Sequence, residues 1–200
     1  MARPRLDRAE LRRRLLRAAI DQIRDRGASA FSLREAARAA GVDPAMVYRE
    51  FADRADLVEQ VALDGFARLA ERVRDATDAA AAVDPDPLTA RLWAFGTTYV
   101  RFALEHPTEF QVMFAGGRRT ALPTDVPSAY DQLVALLDPL ATAGRLRGDR
   151  DRAALVCWSA VHGAAWHLVD RALAGDPTEP DAVVQVVVGH LVASLIEAPR

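Results

Sequence analysis

The chain has 200 residues, half of them hydrophobic, with 26 basic side chains against 28 acidic ones for a formal charge of -2. That apolar content is enough for one small domain beside a larger one, yet no apolar run reaches the ~20 residues that a bilayer-spanning helix needs. A single cysteine, Cys157, excludes an internal disulfide and suits a reducing cytoplasm.

Charge is unevenly spread along the chain. Residues 1–60 hold thirteen Arg against ten Asp and Glu, a net of +3, whereas residues 61–200 hold thirteen against eighteen, a net of -5. A basic front on an acidic body is the footprint of a protein that meets a polyanion at one end only. Arg3 and Arg5, flanking Pro4, form a candidate arm for a minor groove or a phosphate track. No signal-peptide core is expected, because Leu15, Leu16, Ala18, Ala19 and Ile20 are interrupted by Arg17 and Asp21.

Leu11, Leu15, Ala19 and Ile23 mark a first helix that Gly27 ends. The stretch from Phe31 to Phe51 reads as two short helices around a tight turn. Ser32 and Glu35 have the spacing of a capping box, with Phe31 as its hydrophobic staple. The helix then runs through alanines to Gly41, which suits the left-handed conformation that closes a helix. Asp43 offers a carboxylate N-cap, and Pro44 sits where a missing N–H costs nothing. The next helix is small at its start, through Pro44, Ala45 and Met46, and carries Tyr48 and Arg49 one turn later. A short first turn lets the backbone approach base edges, and the longer polar groups then reach phosphates or guanines. A purely structural hairpin shares the capping signals but has no need of that surface.

Leu57, Val58, Val61, Ala62, Leu69 and Val73 mark a fourth helix, from about residues 52–54 toward Ala80, ~40 Å long and able to join two domains. Residues 79–87 contain two prolines and two aspartates and read as a breaker. A helix from Leu88 to Glu105 ends at His106-Pro107, a short helix covers Pro107 to Phe114, and a Gly, Arg and Pro loop extends to about Pro127. Further helices are expected from Ser128 to about Ala143, from about Asp151 to Ala174, and between Pro180 and Glu197, with a loop over residues 144–150. The VVQVVV run of the last helix suits a strand on propensity, but Val184, Val188, Leu191 and Leu195 keep a helical stripe.

With Gly27, Ser32, Ala37, Ala40, Gly41, Val42, Val47, Tyr48, Phe51, Arg54 and Leu57 in register, the first sixty residues resemble the DNA-binding domain of the TetR family of bacterial transcriptional regulators. Arg54 stands where that family usually has Lys, and Glu50 where it usually has His. The His commonly faces a phosphate, so a carboxylate there is repelled unless it pairs with Arg49, Arg54 or another neighbour. Trp158, His162 and Gly163 resemble the W-x-x-x-H-G motif of one C-terminal domain type in these regulators, and Glu105 to Phe114 resembles the E-H-P-x-x-F-x-x-M-F stretch of such domains.

The resemblance implies an all-α protein: an N-terminal three-helix helix-turn-helix domain over residues 1–53, and a larger helical ligand-binding and dimerisation domain over residues 54–200, linked by the fourth helix. It implies a homodimer through the last two helices, on a palindromic double-stranded DNA operator read by two helices roughly 34–36 Å apart or a multiple of that. A repressor released by a small apolar or aromatic effector is the expectation, the effector shifting the fourth helix. DNA contact is assigned to Arg3, Arg5, Ser32, Arg34, Asp43, Pro44, Ala45, Met46, Tyr48, Arg49 and Arg54. Effector contact is assigned to Trp93, Tyr99, Phe102, Phe110, Met113, Phe114, His162 and Trp166, residue types that otherwise simply fill a helical core.

Enzymatic readings find little support. Cys157 has Trp158 beside it and no evident base, and His162 and His167 are five residues apart, which puts them on different helix faces. No P-loop, dinucleotide fingerprint or HExxH occurs, so no catalytic residue, metal or cofactor is assigned. Two other readings stay open, a helical small-molecule-binding protein with altered DNA contact and a regulator controlled by a protein partner.

Overall fold

The computed structural model describes residues 7–27, 30–115, 127–174 and 179–198, with all their side chains except those of 171–174. Arg3, Arg5 and most of the loop expected before Pro127 lie outside the described residues. Among the described residues there are nine helices: α1 (Arg8–Arg26), α2 (Leu33–Ala39), α3 (Pro44–Glu50), α4 (Arg54–Val83), α5 (Pro87–Glu105), α6 (Pro107–Phe114), α7 (Ala129–Thr142), α8 (Arg150–Ala174) and α9 (Pro180–Leu195). The all-α expectation is met, the one β feature there being an isolated antiparallel bridge between Leu146 and Ile196. No described helix is long and apolar enough to cross a membrane.

The chain divides into two compact units, Met1–Gly65 with Thr108–Thr120, and Phe66–Pro107 with Ala121–Arg200. In the smaller unit α1 buries the stripe Leu11, Leu15, Ala19 and Ile23 against Phe31, Leu33, Ala36 and Ala37 around α2, Val47 and Phe51 around α3, and Leu57 and Val61 of α4. Met46, and Val112 of α6, pack on the same cluster. In the larger unit α5 packs on α8, α9 and α7, and α8 on α7 and α9.

Local chemistry sets the element ends. After α2, Gly41 takes φ 69, its N–H donates to Arg38 O at 3.1 Å and the Val42 N–H reaches back to Ala37 O at 2.9 Å. That bond pair satisfies carbonyls that the helix end would otherwise strand. Asp43 accepts from the Ala45 N–H at 2.8 Å, so α3 starts where its sequence places it.

Two expectations need correction. The Ser32–Glu35 capping box does not form. Ser32 has the extended backbone of an N-cap but its side chain makes no capping bond, its N–H donates to Gln22 Oε1 at 3.3 Å, and Glu35 pairs instead with Arg26 at 3.0 Å. A full capping box occurs at α7, where Ser128 and Asp131 bond reciprocally. The breaker also starts later than expected, because α4 continues through residues 79–83. Alanine has the highest helix propensity, and the stop comes only at Asp84, whose backbone the following Pro85 pushes out of the helical region.

The VVQVVV run is helical. Val184, Val188 and Leu191 are buried at helical spacing while Val186, between them, is 71% exposed.

Candidate nucleic-acid interface and helical core site

The exposed face of the α2–α3 unit follows from its burial pattern. A seven-residue helix that anchors itself through Val47 and half-buried Met46 leaves Pro44, Ala45, Tyr48 and Arg49 outside. Tyr48 is 50% exposed, which leaves its hydroxyl able to reach a phosphate. Arg34 and Arg54 are exposed, on α2 and at the first position of α4. Ser32 is half-buried, Met46 belongs to the core edge, and the Asp43 carboxylate is engaged in capping. The sequence-assigned DNA residues within the described part thus separate into an outward group and three others: half-buried Ser32, core-edge Met46 and the capping Asp43.

Glu50 closes α3. Both of its oxygens accept from Arg8 Nε, at 3.0 and 3.1 Å, and Arg12 adds a second guanidinium at 3.7 Å. Arg12 also donates to Gln60 Oε1 at 2.7 Å and lies 5.1 Å from the Phe51 ring centroid, so it joins α1 to α3 and α4. These partners escaped sequence reasoning, which looked to the neighbours Arg49 and Arg54. Their only advance signal was the surplus of arginine in the first seventeen residues.

In the larger unit, Trp158, His162 and Trp166 fall on one face of α8, one turn apart. The Trp158 and His162 rings stack with centroids 5.6 Å apart, and Tyr99 of α5 and Tyr130 of α7 meet Trp158 edge-on. The Trp166 Nε1–H donates to His162 Nε2 at 3.0 Å, and His162 Nδ1 lies 2.8 Å from the Tyr99 hydroxyl. An indole N–H can only donate, so Nε2 is the bare nitrogen and a neutral ring carries its proton on Nδ1, donating to the Tyr99 oxygen. Burial pushes the Tyr99 phenol well above its ordinary range and lowers His162, both in favour of the neutral forms. Burial likewise raises the Cys157 thiol to about 11, leaving it unreactive.

Tyr99, His162 and Trp166 are bonded together. Trp93 faces Gly189 of α9, where its ring would lie 3.5 Å from an added Cβ. The Phe102 ring has His106 at 4.9 Å and the guanidinium carbons of Arg68 and Arg72 each 5.8 Å from its centroid. Phe110, Met113 and Phe114 belong to the smaller unit, with the two phenyl rings 5.0 Å apart. Sequence reasoning did not single out Tyr130, which joins the cluster through α7. Among the described residues no set of His, Cys, Asp and Glu is arranged to hold a metal ion.

Comparison with known proteins agrees with this geometry. Residues 15–61 match the family model for bacterial regulatory proteins of the tetR family, and residues 92–191 match the tetracyclin repressor-like C-terminal domain. Comparison with curated proteins finds no match. Among solved structures, a protein with unknown function from Rhodococcus sp. RHA1 is 30% identical over 94% of this chain and 96% of its own, with a TM-score of 0.76. A TetR family transcription regulator from Marinobacter aquaeolei VT8 is 21% identical, covering 95% and 97% of the two chains at a TM-score of 0.67. The fatty acid degradation regulator FadR from Bacillus halodurans is 16% identical, covering 94% and 96% at a TM-score of 0.75. At those identities the last two speak for the fold alone. With a helix-turn-helix at its front and family models matching both parts, the chain belongs to the TetR family of bacterial DNA-binding transcriptional regulators.

Proposed function

We propose that the chain is a homodimeric repressor that binds a palindromic operator and is released by a small apolar or aromatic effector. DNA contact is assigned to residues 1–53, and effector binding and dimerisation to residues 54–200. The observation that carries the reading is the outward face of α3, where Tyr48 and Arg49 stand exposed on a helix whose start is locked by Asp43. Arg34 and Arg54, exposed on α2 and at the start of α4, add charges suited to phosphates.

Dimerisation is supported by what α8 and α9 leave uncovered. Leu155, Val156 and Val186 are exposed large apolar side chains, and exposed Gly163 and Ala193 would let a second pair of helices approach closely. A two-fold dimer presents α3 twice, as the two halves of a palindromic operator require. For the effector, the bonded Tyr99, His162 and Trp166 supply aromatic surface with a polar handle, and α4, continuous from Arg54 to Val83, runs through both units. An effector acts only as far as its affinity differs between the two arrangements.

Paired with Arg8 and Arg12, the Glu50 carboxylate gives no support to a chain with altered DNA contact. Selecting bound fragments from random duplex DNA, together with sedimentation of the protein, tests the proposal. A two-fold symmetric motif bound by a dimer is expected. A monomer that retains no sequence at low salt would overturn it.

A further inference from the structure

Glu50 sits at the C-terminal end of α3, where the helix dipole disfavours a carboxylate and a duplex lying along Tyr48 and Arg49 would repel it. Even so, only 11% of its side chain is exposed, and both oxygens are spent on Arg8 Nε. Arg12, the second guanidinium nearby, is bonded to Gln60 and lies over the Phe51 ring. Arg8 differs. Its side chain is 74% exposed, and among the described residues both of its hydrogen bonds leave from Nε, so the donors of its terminal nitrogens are unspent there.

A guanidinium held at Nε with its fork open is preorganised to bind a phosphate, because its long side chain has already lost the freedom that binding would cost. Glu50 follows Tyr48 and Arg49 as the last residue of α3, so the pairing places the Arg8 guanidinium beside the C-terminal end of that helix. We propose that Arg8 is a ligand for a DNA backbone phosphate and that Glu50 is its positioning residue; this rests on DNA binding by the α2–α3 unit. The carboxylate gives up its own repulsion from DNA in exchange for a fixed guanidinium.

Charge alone makes the opposite prediction, since neutralising a carboxylate beside a polyanion strengthens binding. Positioning reverses that sign, and the reversal depends on Arg8. The full-length parent, R8A, R8K, E50Q and R8A/E50Q are titrated by anisotropy against a labelled duplex enriched from random DNA, at several salt concentrations, with a thermal melt of each. R8A is expected to weaken binding roughly tenfold per subunit and to remove about 0.9 per subunit from the slope of log affinity against log salt. E50Q should weaken binding in the parent and strengthen it in the R8A background. R8K should fall short of the parent, because an ammonium cannot bond Glu50 and also present a fork outward.

Tighter binding by E50Q with Arg8 in place, or an unchanged slope in R8A, overturns these roles while DNA binding itself stands. A parent that binds no duplex at any salt overturns both. If E50Q melts well below the parent, R8A decides through the slope, since it removes only an exposed side chain.

Discussion

The Tyr99 hydroxyl and His162 Nδ1 lie 2.8 Å apart, joining α5 to α8 across 63 residues of sequence, while Trp166 holds the other nitrogen of the same imidazole. The ring therefore has one protonation state that suits both partners. A second proton on Nε2 would face the Trp166 N–H donor to donor. Burial also lowers the His162 pKa below the ordinary 6.5. Between the lowered folded value and 6.5 the unfolded chain holds the proton and the folded one does not, so stability rises with pH. It is present in full above about 6.5 and lost as the pH falls through the folded value. Thermal melts between pH 8 and 5 should show that decline, and H162N should flatten it while costing about 1–3 kcal/mol at neutral pH. An unchanged pH profile in H162N would remove His162 as its source.

The Asp86–Arg145 pair gives a second titration with its own range. Arg145 bonds both Asp86 oxygens at 2.7 and 2.6 Å and also donates to Glu197 O at 2.9 Å, tying the start of α5 to the loop after α7 and the chain beyond α9. The guanidinium holds the Asp86 carboxyl well below the usual 3.8. Here the unfolded chain takes the proton first on acidification. The stabilisation is complete above about pH 4 and is lost as the pH falls through the folded value. D86N should cost about 1–3 kcal/mol at pH 7 and measurably less at pH 2, where part of the stabilisation is already lost, read from urea unfolding at both.

Gly96 fixes how closely α5 and α9 approach. A Cβ there would stand 2.6 Å from Val188 Cγ2, closer than packed carbons come. G96A should destabilise by about 1–3 kcal/mol. V188A, added to G96A, should recover part of that loss although V188A alone is destabilising. Simple addition of the two losses would place the clash elsewhere.

Ser32 and Ser128 make a matched pair with opposite outcomes. Ser128 completes a capping box on α7 and Ser32 makes no capping bond. S128A should cost about 1 kcal/mol, and S32A should stay within about 0.5 kcal/mol of the parent in chemical denaturation.

Tyr48 is exposed enough that Y48A should leave the melting temperature nearly unchanged. In a phosphate-contacting role its loss weakens binding to all duplexes alike. Loss confined to the selected operator, measured by competition with random DNA, would instead assign Tyr48 to a base.

The helices and their stops were legible in the sequence where the deciding residues are neighbours. The Gly41 turn, the Asp43 cap and the Val184, Val188 and Leu191 stripe all depend on groups within a turn or two of each other, and spacing alone reveals them. The Ser32–Glu35 box has the right spacing, but Arg26, nine residues before Glu35, takes the carboxylate and Gln22 takes the Ser32 N–H. Such a competitor is visible only once α1 and α2 are packed.

The candidate site divides along the same line. By itself the sequence determined an all-helical chain, a helix-turn-helix with Tyr48 and Arg49 outward, and a Trp158–His162 stripe one turn apart, since backbone periodicity decides each of these. Tertiary structure alone decided that Glu50 meets Arg8, 42 residues away, and that the hydroxyl meeting His162 belongs to Tyr99. Hydrogen bonds reach about 3 Å and depend on direction. Which partners come within that reach is set by how helices pack, so it is written in no local pattern.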